Sequence, residues 1–311
     1  MQAYKDTEYI EEEIVNTLKY FHIFKFPLYV GEIHRFLCVR ISLTDLLFSL
    51  KTMTDKGALF IYNDLYMLSD NPEWVIRRMN GTEEANIQLN TAKNIARFIW
   101  KFPFVREVCI SGSLSKGYAD KNSDLDFFII TKANRLWICR TILHLFKKIT
   151  FLKNRQHSFC MNYFIDESRL VLEEQNIFTA TELATVIPVC NNDIYKELIN
   201  NNKHWLVNIL PNVTWAFDPT IASQTNTVKS IFEGILNLFA PHYLNKKLMK
   251  LTDKWWRYKW EKRNYPMDEY NLAMKTRWYV SKNHPANYQQ KILQKLQELK
   301  YPNVTTADTL L

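Results

Sequence analysis

Residues 111–131 read SGSLSKGYADKNSDLDFFIIT. Val105, Val108 and Ile110 predict a strand running into Gly112 and Ser113, and Phe127-Phe128-Ile129-Ile130 predicts a second strand after a short helix. Between them stand Gly117 and the run Ser123-Asp124-Leu125-Asp126. Side chains alternate across a strand, so two acids spaced i, i+2 share one face while Leu125 points to the other, the core side. Asp124 and Asp126 are therefore expected side by side.

Two neighbouring carboxylates repel, and one tends to keep a proton unless a cation lies between them. Magnesium suits such a pair, because it takes a few carboxylate oxygens and fills its remaining octahedral positions with water and phosphate oxygens. The Gly112-Ser113 turn supplies the other half of such a site. Glycine lets the backbone approach a phosphate, and free N–H groups at the start of a helix attract its charge. Ser113 adds a hydroxyl, and Lys116 can meet a phosphate oxygen as a point charge. These parts describe a site for a metal–nucleoside triphosphate. A surface turn followed by solvent-facing acids would account for each residue singly. It does not account for the ordered set in a chain with only six glycines.

The pattern Gly112-Ser113, Gly117, Ser123-Asp124-Leu125-Asp126 followed by an apolar strand resembles the signature of the polymerase-β-like nucleotidyltransferase superfamily. The resemblance implies an α+β fold whose nucleotidyltransferase core is a mixed sheet flanked by helices. It also implies magnesium, with manganese as the alternative, and transfer of a nucleoside monophosphate from a triphosphate to an acceptor as pyrophosphate leaves. Gly112, Ser113, Lys116, Gly117 and Ser123 are then the nucleotide-binding residues, and Asp124 and Asp126 the metal ligands and catalytic acids. The family pattern has a third carboxylate on a neighbouring strand. After a helix over 134–149, the next strand is expected at Ser158–Ile165, and its centre offers Asn162. An amide can ligate or orient, but it carries no charge and cannot act as a base. Asp166 and Glu167 at the strand's end are the candidates to substitute. Two readings follow: a magnesium-dependent enzyme with Asn162 in the third catalytic position, or a weak or inactive module that senses a nucleotide and engages protein or RNA. Cys160-x-Asn162-Tyr163, Pro188, His204-Trp205 and Pro211-Asn212 resemble a bacterial subgroup of these proteins.

The 311 residues allow two or three units with ordinary cores, and 47% apolar content fits a globular chain. With no apolar run of about 18–20 residues and no apolar leader after Met1, no membrane partner is expected and a cytoplasmic location is. Five scattered cysteines have no metal or redox spacing and read as core residues of a reducing compartment. The histidines, among them His22, His34, His144, His157 and His204, also lack ligand spacing. The net charge of +8 is uneven: −2 over residues 1–100 and +8 over 225–311. Attraction to an anionic partner would arise in the carboxyl-terminal third.

Residues 1–80 read as a winged-helix-like unit. Helices are expected at Ile10–Phe21, Val30–Leu37 and Ser42–Met53, with a hairpin around Asn63-Asp64. Its slightly acidic balance favours protein docking over duplex DNA. The nucleotidyltransferase core is placed at 81–217, entered through a helix from Glu83 to Lys101, with another helix beginning at the Thr179–Glu182 cap. Asp218–Asn226 reads as a linker, and 218–311 as a basic helical region. There Lys246, Lys247, Lys250, Lys254, Arg257, Lys259, Lys262 and Arg263 interleave with Trp255, Trp256, Tyr258 and Trp260. Cations among flat aromatics suit RNA. A helix that buries its tryptophans and exposes a solvated basic face accounts for the same residues.

Overall fold

The computed structural model describes residues 2–121, 123–151, 160–215, 217, 221, 226–239 and 241–300. His157, Ser158, Phe159 and most of the Asp218–Asn226 stretch lie outside the described residues.

The first elements are α1 (Gln2–His22), β1 (Leu28–Tyr29), α2 (Val30–Phe36), α3 (Leu43–Asp55), β2 (Phe60–Tyr62) and β3 (Leu65–Met67). The three strands form an antiparallel sheet in the order β1-β3-β2. Ser42 caps α3 by accepting from Asp45 N–H at 3.1 Å. Asn63 and Asp64, both with positive φ, turn the β2–β3 hairpin. The outer face of α3 presents Leu47 and Phe48 to solvent.

Next come α4 (Pro72–Trp100), β4 (Val105–Ser111), β5 (Asp126–Thr131), α5 (Leu136–Phe151), β6 (Cys160–Asp166), α6 (Ile177–Thr185), β7 (Ile187–Pro188) and α7 (Asn192–Ile209). They are followed by α8 (Thr227–Asn237), α9 (Pro241–Glu261), α10 (Tyr270–Ala273), β8 (Met274–Thr276), β9 (Val280–Asn283) and α11 (Tyr288–Lys300). The central sheet is mixed, in the order β7-β4-β5-β6-β9-β8, and only β5 and β6 pair in parallel. The carboxyl-terminal region, expected to be helical, therefore also gives two strands to this sheet. Strand β9 pairs along β6, which would otherwise be an open edge, and β8 pairs along β9.

Period-two alternation divides the sheet between two cores. Val108, Ile110, Phe127 and Ile129 pack with α4 and α5, including Ala92, Ile99 and Trp137. Cys109, Phe128 and Ile130 face the other way, onto Ala180 and Leu183 of α6, Leu198 of α7 and Ile292 of α11. That second cluster runs without a break into Ile14, Leu18, Phe21, Leu46 and Leu50. The amino-terminal unit is thus seated on one face of the central sheet.

Helix α4 begins eleven residues earlier than Glu83, because Asn71 Oδ1 caps Glu73 N–H at 3.2 Å and Pro72 follows as its first residue. It continues through Gly81, where a Cβ would stand 2.1 Å from Tyr118 Cε2. The missing side chain is what admits Tyr118.

On the outer layer, α8 buries a polar side. Lys229 Nζ donates to the carbonyls of Trp100 at 2.8 Å and Val105 at 2.5 Å, and Glu233 takes both guanidinium nitrogens of Arg106 at 2.9 Å. Its outward side shows Val228, Ile231, Phe232 and Ile235. Asn245 of α9 accepts from the N–H groups of Trp137 at 2.8 Å and Ile138 at 3.2 Å, capping α5. Of the α9 aromatics, Trp256 is buried under Arg140 at 4.6 Å, whereas Trp255 and Tyr258 are exposed. No helix among the described residues is long and apolar enough to cross a membrane.

Candidate active site

Strand β4 ends at Ser111, which pairs with Asp126, the first residue of β5. The chain then turns through Gly112 at φ +69, a region where an L side chain is strained. A Cβ at Gly112 would stand 2.6 Å from Asp126 Oδ2 and 3.2 Å from Asp126 Cβ. Glycine is therefore required twice here, for the turn and for the carboxylate beside it. A 3-10 turn follows at Leu114–Lys116, closed by Gly117 at φ +68. The Gly112 carbonyl accepts from Ser115 Oγ at 2.9 Å and Lys116 Nζ at 3.1 Å, which fixes the bend.

Asp124 is not on the strand but in the extended link before it, with buried Leu125 between the two acids. Asp124 and Asp126 line one cavity of about 630 Å³, together with Gly112, Ser113, Lys116 and Asn162. Gly117 and Ser123 are not in its wall. Gly117 closes the turn, its carbonyl taking Arg78 Nη1 at 2.9 Å, and Ser123 Oγ accepts from Asp120 N–H at 2.8 Å. Both shape the loop that carries Asp124.

Burial, and then the nearby Asp124 and Glu182 carboxylates, push the Asp126 carboxyl up to about 6, against the opposing pull of Lys116 and Lys147. An acid held this way gains from a cation beside it. Among the described residues no group of three or more His, Cys, Asp or Glu side chains is clustered to hold a metal ion. The donor set is two carboxylates, a set that suits magnesium when phosphates and water complete the shell.

In β6, Cys160 lies directly across from Asp126, and the register slips between the Phe127–Met161 and Phe128–Tyr163 pairs. Asn162 is the extra residue of that irregularity, and bulges of this kind re-aim a side chain. Its Nδ2 donates to Cys160 Sγ at 2.8 Å. Asp166 and Glu167 do not substitute for a third acid. Six residues along the strand place Asp166 roughly 20 Å from the Cys160 end. There Asp166 accepts from Asn134 N–H at 2.6 Å, and Glu167 from Ala133 N–H at 2.9 Å. Both acids hold the β5–α5 loop.

Several cavity residues were not singled out by the sequence reading. The cap expected at Thr179–Glu182 lies instead at Asn176, whose Oδ1 accepts from Thr179 N–H at 3.0 Å, and α6 starts at Ile177. Glu182 is thereby released to the wall, where Lys116 Nζ meets it at 2.8 Å. Phe21, Phe24 and Phe26 come from α1 and the turn after it, and Lys282, His284 and Gln289 from β9 and the segment into α11. Burial and Lys282 lower His284 to about 4, so its ring is neutral. The available signals were faint: one glutamate in an otherwise uncharged helix, and an aromatic run, Phe21 to Phe26, after a helix end.

Residues 89–181 match the family model of the nucleotidyltransferase domain, which places this segment in the polymerase-β-like superfamily. No curated protein and no solved structure matches the chain. The matched segment holds Gly112, Ser113, Lys116, Asp124, Asp126 and Asn162. Glu182, the α1 aromatics and the α11 residues lie outside it.

Proposed function

We propose that the nucleotidyltransferase domain of this chain binds a magnesium–nucleoside triphosphate at the Gly112 turn and transfers its nucleoside monophosphate to an acceptor in the same cavity. The observation that carries this reading is the closeness of the Gly112 turn to Asp126, where a Cβ would stand 2.6 Å from Oδ2, which sets the bend against a carboxylate that burial and the neighbouring acids hold above its ordinary range. Asp124 and Asp126 hold the cation, magnesium or manganese. Held by those two carboxylates, a divalent cation would supply positive charge to offset that of the phosphates. The Gly112-Ser113 backbone and the Ser113 hydroxyl receive the phosphate oxygens. Lys116, drawn between the Gly112 carbonyl and Glu182, stands where a leaving pyrophosphate needs a cation. With its Nδ2 committed to Cys160, Asn162 offers its oxygen to orient the acceptor.

Purified protein should release pyrophosphate from a triphosphate in a magnesium-dependent reaction when given acceptor from cell extract. Asp124→Ala combined with Asp126→Ala should abolish it, and equal release by both proteins refutes the assignment. A second reading, nucleotide sensing without turnover, is favoured by one observation: an amide replaces the third carboxylate in a cavity walled partly by the amino-terminal unit. Triphosphate binding with no pyrophosphate release under any acceptor would select it.

A further inference from the structure

The cavity wall carries two kinds of chemistry. One is the acid edge and phosphate turn. The other is apolar, lined by Phe21, Phe24 and Phe26 from the amino-terminal unit, Phe178 and Leu183 from α6, and Ile292 from α11. These residues come from three separate parts of the chain, and all lie outside the family-matched segment except Phe178. A volume of about 630 Å³ falls within the range of a small-molecule site, roughly 300–1,000 Å³. A nucleic acid end would need cations along its phosphates. Outside the phosphate turn, among the described residues, the wall has two, and both are engaged. Arg77 Nη1 donates to the Phe24 carbonyl at 3.1 Å while its guanidinium lies over the Tyr118 ring at 4.8 Å. Lys282 Nζ donates to Gln289 Oε1 at 2.9 Å and faces Glu174 at 3.8 Å.

Resting on the triphosphate assignment of the acid edge, we propose that this apolar part of the wall is the acceptor site, and that it takes a small hydroxyl-bearing organic molecule with a flat apolar body. Aromatic walls gain most from a ligand that can stack and be desolvated. In the transfer, the acceptor hydroxyl oxygen forms a bond to the α-phosphorus. The bond from that phosphorus to the α,β-bridging oxygen breaks, its electron pair leaves with pyrophosphate, and the hydroxyl proton passes to water. Recognition of the acceptor then belongs to the parts of the chain packed around the domain.

The full chain is incubated with magnesium and each of the α-labelled triphosphates. Cell extract is supplied in separate arms as small-molecule filtrate, retained RNA and retained protein. Label should appear in a filtrate compound that is held by a reversed-phase column. Phe24→Ala removes a half-exposed ring and leaves the core intact. It should raise the KM for the purified filtrate acceptor roughly tenfold, with the equilibrium binding of magnesium–triphosphate unchanged. Label in RNA or protein with an unlabelled filtrate overturns the acceptor class while the transfer reaction stands. An unchanged acceptor KM in the variant overturns the aromatic site. Absence of triphosphate binding, or of label in every arm, removes the nucleotidyl-transfer assignment and this one with it.

Discussion

Asp126→Asn should stabilise the metal-free protein while removing a carboxylate of the proposed cation site. The folded carboxyl titrates at about 6 against an ordinary value of 3.8, because it is buried beside Asp124 and Glu182. Each unit is worth about 1.4 kcal/mol, so ionising Asp126 in the folded state costs about 3 kcal/mol at pH 7.5. The sign follows from proton binding. Between the two values the folded chain holds a proton that the unfolded chain has lost, so this residue makes stability fall as pH rises from about 4 to about 6. An asparagine has the same shape and no charge to bury. The variant should therefore exceed wild type by about 2–3 kcal/mol at pH 7.5 in chelator, and by only about 1 kcal/mol at pH 4.5. Urea unfolding followed by circular dichroism at the two pH values measures both differences. Adding magnesium with a non-hydrolysable triphosphate should then raise the wild-type midpoint and leave that of the variant unmoved. A variant no more stable than wild type at pH 7.5, or a gain that is the same at both pH values, would refute the electrostatic reasoning.

Gly112→Ala places a Cβ 2.6 Å from Asp126 Oδ2 at a positive φ; the chain should fold with a loss of about 1–3 kcal/mol and no magnesium–triphosphate binding by calorimetry. Gly81→Ala raises helix propensity by about 1 kcal/mol, yet the added methyl meets the Tyr118 ring at 2.1 Å. A net destabilisation of about 1–3 kcal/mol is expected in thermal unfolding, and a more stable variant would contradict the close packing.

The parts of the site that could be read from sequence are those built locally. The Gly112 turn, the acid pair and the apolar run of β5 lie within one short stretch, and each uses a property of its own backbone: positive φ, alternation, burial on both faces. Asp124 fell off the strand because pairing with β4 begins only at Ser111–Asp126. The early start of α4 is written in Asn71-Pro72-Glu73, whereas the glycine inside it, Gly81, is explained by the tertiary packing of Tyr118. Strands β8 and β9 have three and four residues and no alternation of their own; they exist because β6 has an edge to pair. Glu182 and the aromatic wall left only faint local signals, since what makes them site residues is proximity in space: the partner of Lys116 is 66 residues away.

The seating of α1 on the central sheet means that the cavity has no existence in the matched segment taken alone. Cutting the gene at residues 89 and 181 would discard Phe21, Phe24 and Ile292, leave the α6 side of β5 bare, and sever Glu182 from Lys116. Relatives that share the Gly-Ser and Asp-x-Asp grammar but swap the surrounding helices would inherit the chemistry with a different clientele.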